Sequence, residues 1–255
     1  MDNKNKTLFI AFASQKGGVG KSTFTAIIAS VLHYRMGYNV AVFDCDYPQH
    51  SLIQMRERDL QSIMQNETFK KLAYRQFSTI NKKAYPILQC RADEALAEAD
   101  RFLQSSAIPV DIIFFDLPGT VNTPGLLSTL AGIQHIFSPI TADRLVMEST
   151  LRFTDVMANV LMKQGNTSIE TIQLFWNQVD RREKSPLYES YEKVITDLRL
   201  HLMTVQIMDS KRFRKESEAA AKTIFRSTLL PPDERLMKSC HLDVFIDEFL
   251  RTIKL

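Results

Sequence analysis

An α/β fold, with a mainly parallel twisted sheet of about seven or eight strands and helices on both faces, is predicted by three observations. Short apolar runs rich in β-branched and aromatic residues alternate with longer segments of helical period. These runs lack polar alternation, as strands do when helices cover both faces of a sheet. Three of the chain's 8 glycines fall within four residues, directly between the first such run and the first helical segment. Strands are expected at Leu8–Ser14, Asn39–Asp44, Tyr85–Cys90, Val110–Asp116, Gln134–Pro139, Thr171–Asn177 and Leu202–Met208. Helices are expected near Lys21–Met36, Gln49–Gln65, Asp93–Gln104, Asp143–Lys163, Pro186–Leu200 and His241–Leu255. No linker-like stretch or internal repeat interrupts this order, so residues 1–255 are expected to form a single domain.

The composition narrows the function classes. At 255 residues, 45% hydrophobic and 24% charged, the chain has the balance of a globular protein, not a disordered or fibrous one. Its 32 Lys+Arg against 29 Asp+Glu leave a charge of only +3, so attraction to nucleic acid has to come from a local patch. Cys45, Cys90 and Cys240 are odd in number and include no C-x-x-C pair, which indicates neither a disulfide framework nor a zinc site and suits a reducing cytoplasm. The first residues are polar, the apolar stretch Leu8–Ala13 is too short for a signal-peptide core, and no run approaches a membrane span. A cytoplasmic protein without integral membrane association is the expectation.

The glycine-rich segment is Gln15-Lys16-Gly17-Gly18-Val19-Gly20-Lys21-Ser22-Thr23. A loop that wraps a polyphosphate must turn successive backbone N–H groups inward, which calls for positive φ and no Cβ in the way. The helix that follows adds its N-terminal dipole, Lys21 can reach the β- and γ-phosphates, and the Ser22 hydroxyl can ligate Mg²⁺. The usual G-x-x-x-x-G-K-[ST] pattern fails here because Gln15 stands where its first glycine belongs. What stands instead is K-G-G-x-G-K-S-T, with a second lysine, Lys16, ahead of Lys21. This resembles the deviant Walker A motif of the ParA/MinD family of P-loop ATPases. The resemblance implies a P-loop NTPase fold and the ligands ATP and Mg²⁺, with residues Lys16, Gly17, Gly18, Val19, Gly20, Lys21, Ser22 and Thr23 around the phosphates. It also implies a homodimer in the ATP-bound state, with Lys16 reaching across the interface to the partner's phosphates.

Phosphoryl transfer also needs carboxylates to hold the magnesium shell and place the attacking water. Asp44 and Asp46 end the second expected strand, two residues apart and so on one side if the strand continues. The segment is similar to the family's D-x-D-P-Q switch I, except that Tyr47 is inserted before Pro48. By that likeness Asp46 orients the lytic water and Asp44 supports the magnesium waters, whereas structure alone would make such an Asp a helix cap. Asp116, at the carboxyl end of an apolar strand, occupies the place of a Walker B aspartate, and Pro118-Gly119 resemble switch II. Asn177 ends a late strand where the family carries an adenine-reading asparagine, and a lone Asn there is otherwise a turn former.

Two regions bear on output. Lys211, Arg212, Arg214 and Lys215 form a cluster without an acid, and Arg181, Arg182 and Lys184 form a second, less pure one. In ParA relatives basic residues of the C-terminal part bind duplex DNA without sequence preference, whereas Glu216 and Glu218 suit a merely solvated face. Leu242, Phe245, Ile246, Phe249 and Ile253 make an apolar stripe that a MinD-like protein would insert into membrane. Its polar face carries Asp243, Asp247 and Glu248 against Arg251 and Lys254, which favours core packing. The Phe137-Ser-Pro-Ile-Thr141 strand end and the 212–219 segment resemble ParA-type conjugal transfer proteins of conjugative transposons. The implied function is an ATP-driven dimerisation switch that hydrolyses ATP slowly and acts in partition or conjugal transfer of a mobile element. It would be nucleoid-associated when ATP-bound and served by a ParB-like or conjugation-system protein. The alternative is a MinD-like, membrane-associated positioning ATPase.

Overall fold

Residues 6–119, 123, 125–163, 165–180, 182, 186–211 and 226–255 are described by the structure, a computed structural model. The chain runs β1 (Leu8–Phe12), α1 (Lys21–Tyr34), β2 (Val40–Asp44), α2 (Ser51–Gln65), α3 (Glu67–Ile80), β3 (Ile87–Gln89), α4 (Ala95–Ser105) and β4 (Ile112–Asp116). It continues through α5 (Leu126–Ala131), β5 (His135–Ile140), α6 (Arg144–Val156), β6 (Thr171–Trp176), α7 (Pro186–Asp197), β7 (His201–Leu202), α8 (Glu234–Ser239) and α9 (Leu242–Ile253). The strands form one 7-stranded sheet in the order β3-β2-β4-β1-β5-β6-β7. Every pairing is parallel.

β1 lies at the centre between β4 and β5, so the strand order reverses beside it. A crevice for a ligand opens at such a reversal, outside the carboxyl ends of the strands. The two-residue period of the strands divides the core between the two faces of the sheet. Ile10 and Phe12 join a cluster with Phe24 and Ile27 of α1 and Phe245 and Phe249 of α9. Ala11 and Ala13 face the other way, with Ala95 and Ala99 of α4, Leu130 of α5 and Phe153 of α6. Both faces also carry aromatic rings, Phe43 and Phe115 stacking at 5.6 Å on the second. Phe12 lies 5.6 Å from Phe24, 5.8 Å from Phe137 and 6.2 Å from Phe249, centroid to centroid.

The last helix is therefore part of the core. Leu242, Phe245, Ile246, Phe249, Leu250 and Ile253 are all buried, which fills the stripe that a membrane-inserting helix would need. No helix among the described residues is long and apolar enough to cross a membrane.

One expected element is shorter than its sequence suggests. The stretch Leu202–Met208 forms a ladder only at His201–Leu202, followed by an isolated Val179–Met208 bridge. The backbone N–H groups of Thr204 and Val205 donate instead to the carboxylate of Glu248 on α9, at 2.7 and 3.0 Å. That charged acceptor replaces ladder bonds at the sheet edge. The helix expected to Lys163 holds α-geometry to Val156 and continues as a π-helical stretch, Met157–Leu161. Three helices were not expected: α3, α5 and α8.

If α9 closes the aromatic core, Phe249→Ala should destabilise the chain by about 3–5 kcal/mol in urea unfolding. Exposed Val244 on the same helix, changed to Ala, should cost under about 0.5 kcal/mol.

Candidate functional site

After β1 the chain turns through residues 14–20 into α1, and the turn depends on glycine at two places. Gly18 and Gly20 have φ of +78° and +103°, and a Cβ on Gly20 would stand 3.0 Å from Asn177 Nδ2. The Ser14 hydroxyl accepts from the Lys16 backbone N–H at 3.2 Å and pins the start of the loop. The loop borders a cleft of about 900 Å³, whose other walls come from Lys21 and Ser22, from Asp46 and Tyr47 after β2, and from Pro118 and Gly119 after β4.

Lys21 is buried at the head of α1, and its Nζ donates to the Lys16 carbonyl at 3.1 Å. Burial lowers its pKa, while the carboxylates of Asp116 and Asp46 pull the other way. The approach of the next loop is tight. A Cβ on Gly119 would come within 2.9 Å of Lys21 Nζ and 3.5 Å of the Lys16 carbonyl, so a larger residue here would press on the lysine's tip.

Parallel register pairs Asp44 of β2 with Asp116 of β4, so both carboxylates emerge at the same level of the sheet. Their surroundings then separate them. Asp44 Oδ2 accepts from the N–H groups of Leu52 and Ile53, both at 2.9 Å, and so caps α2 from the neighbouring strand. Its Oδ1 faces His50 Nδ1 at 3.8 Å. Burial raises the Asp44 pKa against those two helix N–H groups and His50.

Asp116 has no such support: both carboxylate oxygens are buried without a hydrogen-bond partner. Burial pushes its pKa to about 7, opposed by the nearby Ser22 hydroxyl, reinforced by Asp44 and Asp46, and opposed again by Lys21. The Ser22 hydroxyl is thus close enough to favour the charged form without closing a well-aligned bond. An unmet buried carboxylate beside a hydroxyl and an ammonium suits a hydrated Mg²⁺, which is held by one or two carboxylates together with substrate phosphates. Among the described residues no three His, Cys, Asp or Glu side chains converge as a metal cage.

Asn177 follows β6 and is buried, with its Nδ2 donating to the Val19 carbonyl at 2.8 Å. It thereby braces the phosphate loop and also lines a second pocket of about 180 Å³, with Phe24, Ile27, Ile207 and Met208 among the apolar walls. Gly18, Gly20, Thr23 and Arg226 line both the pocket and the cleft, forming a neck between them. A mostly apolar pocket joined by a neck to an anion cradle has the shape of a nucleotide site.

A family model described as the CobQ/CobB/MinD/ParA nucleotide binding domain matches residues 10–223. The chain belongs to this family. Among solved structures, it is similar to the MinD cell division protein of Aquifex aeolicus, with a TM-score of 0.60 at 15% identity, covering 98% of each chain. It is also similar to a plasmid partition protein of Borrelia burgdorferi B31 bound to AMPPNP, with a TM-score of 0.59 at 17% identity, covering 97% of this chain and 100% of that one. A curated relative, the flagellum site-determining protein YlxH of Helicobacter pylori, is 58% identical over 45 residues, which span 18% of this chain and 15% of that protein. At these identities the structural likenesses establish a ParA/MinD fold.

Of the residues that the sequence singled out, Gly17, Gly18, Gly20, Lys21, Ser22, Thr23 and Asp46 line the cleft, and Asn177 lines the adjoining pocket. Val19 is buried behind the loop, and Asp44 and Asp116 lie beneath the cleft as fully buried groups. Lys16 is exposed and its side chain is not a wall of its own chain's cleft. Of the basic residues, neither Lys211 nor Arg182 is among the walls of the cleft or the pocket. Lys211 is exposed, and Arg182 is held by Asp180 at 2.7 Å. Arg181, Arg212, Arg214 and Lys215 lie outside the described residues. Arg226 was missed altogether: its NH1 donates to Thr23 Oγ1 at 2.9 Å, and no local motif in Arg226-Ser-Thr-Leu-Leu-Pro marks it.

The Asp116 environment predicts a pH effect on the nucleotide-free chain. A carboxyl whose folded-state pKa is about 7 instead of 3.8 binds its proton more tightly folded than unfolded, so stability falls as pH rises between those values. Urea unfolding should show a loss of about 2–3 kcal/mol between pH 5 and 7.5, and Asp116→Asn should remove that part of the slope while leaving the contribution of Asp44.

Proposed function

We propose that this chain is an ATP-driven dimerisation switch of the ParA type, a single nucleotide-binding domain over residues 1–255. In this reading it binds Mg-ATP, pairs face to face with a second copy, hydrolyses ATP slowly and holds duplex DNA in the ATP-bound state. The observation that carries it is the unmet Asp116 carboxylate set beside Lys21 and Ser22 under a glycine cradle, because this arrangement completes itself only with a metal and an anion.

The roles follow from the side chains. The backbone N–H groups of Gly17–Gly20 and the N-terminus of α1 take the phosphates, with the Lys21 ammonium between them. Ser22 and Asp116 are the groups that hold Mg²⁺, with Asp44 behind them and both acids acting through water. Bound there, Mg²⁺ supplies neutralisation of charge on the β- and γ-phosphates. Asp46, half-buried on the cleft wall, orients the attacking water and accepts its proton. Lys16, exposed at the mouth of the loop, supplies its charge to the triphosphate of the second copy. Desolvating that lysine without a phosphate opposite it is costly, which makes pairing conditional on nucleotide. Asn177 reads adenine from the adjoining pocket.

For output, DNA contact is assigned to Lys211, Arg212, Arg214 and Lys215, with Arg181 and Arg182 as a second patch, doubled on one particle by dimerisation. The resemblance to TraA-type conjugal transfer proteins makes a conjugative or plasmid-like element the proposed cargo, with a ParB-like or conjugation-system protein as stimulating partner. Burial of the α9 stripe disfavours the membrane-associated alternative.

Lys21→Ala should abolish ATP binding, whereas Asp46→Ala should bind ATP normally and hydrolyse it at least about 100-fold more slowly. Light scattering of the Asp46→Ala protein should show the mass doubling on addition of Mg-ATP, and an unchanged mass contradicts the switch. The dimer's log affinity for duplex DNA should fall with log salt at a slope near −5 if each subunit neutralises roughly three phosphates, and changing Arg212 and Arg214 to Ala should flatten it.

A further inference from the structure

We infer that Arg226 is a nucleotide-binding residue that contacts the α-phosphate, carried into the site by a segment remote from the phosphate loop; the inference rests on the nucleotide-binding reading above. Three observations support it. Arg226 lines both the phosphate cleft and the smaller pocket, and only Gly18, Gly20 and Thr23 share that position with it. A nucleotide with its base in the pocket and its terminal phosphates on the glycine loop places its ribose and α-phosphate at this neck. Of these, the α-phosphate is the anion, and a guanidinium is the side chain best shaped to meet it.

The second observation is a hydrogen bond that Arg226 makes to α1. NH1 donates to Thr23 Oγ1, the third residue of α1, at 2.9 Å. That bond aims the guanidinium at the end of α1 where the anion cradle lies. A phosphate oxygen would give the guanidinium an ionised acceptor where the hydroxyl is neutral, and so a stronger, ion-paired contact.

The third observation is how firmly the backbone after Arg226 is held. Asp59 Oδ2 accepts from Ser227 Oγ at 3.0 Å, from Thr228 N at 2.7 Å and from Thr228 Oγ1 at 3.0 Å. Arg56 Nε donates to Thr228 Oγ1 at 2.8 Å, and Tyr34 Oη donates to the Thr228 carbonyl at 2.9 Å. Asp59, Ser227 and Thr228 are buried. This network fixes residues 227–228 to α1 and α2, so the Arg226 side chain starts from a preorganised position and loses little freedom on contact.

Competition titrations with ADP, ATP and adenosine on the full chain test the assignment. Arg226→Ala should weaken ADP and ATP about ten-fold or more and leave adenosine unchanged, with Arg226→Lys recovering part of the loss. The nucleotide-free melting temperature should stay close to that of the unchanged protein in both variants. Equal ADP affinity in Arg226→Ala overturns the inference while leaving the nucleotide-binding reading intact. So does a parallel loss of ADP and adenosine with a lowered melting temperature, which marks a purely structural arginine. If the unchanged protein binds neither ADP nor ATP, the nucleotide-binding reading fails and this inference with it.

Discussion

A single buried charge organises this molecule. Asp116 ends a central strand with both carboxylate oxygens buried and without a hydrogen-bond partner, and Ser22 and Lys21 offset its burial only in part. Burying such a group is costly, and in the nucleotide-free chain the cost is relieved by holding the proton to about pH 7. Around it stand Lys21, itself disfavoured as a cation by burial, and the Ser22 hydroxyl. Burial disfavours the charged forms of both Asp116 and Lys21, and in the proposed function a metal with its phosphates satisfies them together with Ser22. On the proposed function, the site holds stability in reserve until ligand arrives, which would be the physical basis of a nucleotide-dependent switch.

The fold keeps that arrangement from relaxing. The parallel register places Asp44 and Asp116 side by side, and the reversal of strand order at β1 opens the cleft above them. Helix α2 then links the parts. Its N-terminus is capped by Asp44, and one to two turns on, Arg56 and Asp59 hold the 227–228 segment and with it Arg226. Helix α2 thereby connects Asp44 at one end to the Arg226 segment at the neck between the cleft and the pocket. The aromatic cluster of Phe12, Phe24, Phe137 and Phe249 makes the sheet beneath them rigid.

Much of this was legible in the sequence because it depends on local chemistry. Only glycine suits the φ of residues 18 and 20, and an acid at the end of an all-apolar strand announces a buried carboxylate. The α9 stripe was assigned to the core from its acidic polar face, and it lies there. Other features were hidden by being nonlocal. The seventh strand stops early because Glu248, more than forty residues away, takes its N–H groups. Arg226 reaches Thr23 across 203 positions. Helix α3 had a readable signal that went unused: Asn66 caps Thr68 and Phe69, and Phe69, Ala73 and Phe77 follow at helical spacing. The sequence likeness carried Asp44 toward the metal, and the structure adds that one of its oxygens is occupied by the cap of α2.

The central claim is that Asp116 is the protein's anchor for magnesium at a nucleotide site. Calorimetric titration of ATP onto the unchanged protein and onto Asp116→Asn, each with and without Mg²⁺, tests it most directly. The account predicts that both proteins bind metal-free ATP alike and that only the unchanged protein gains affinity when Mg²⁺ is added. An equal magnesium-dependent gain in Asp116→Asn would contradict it.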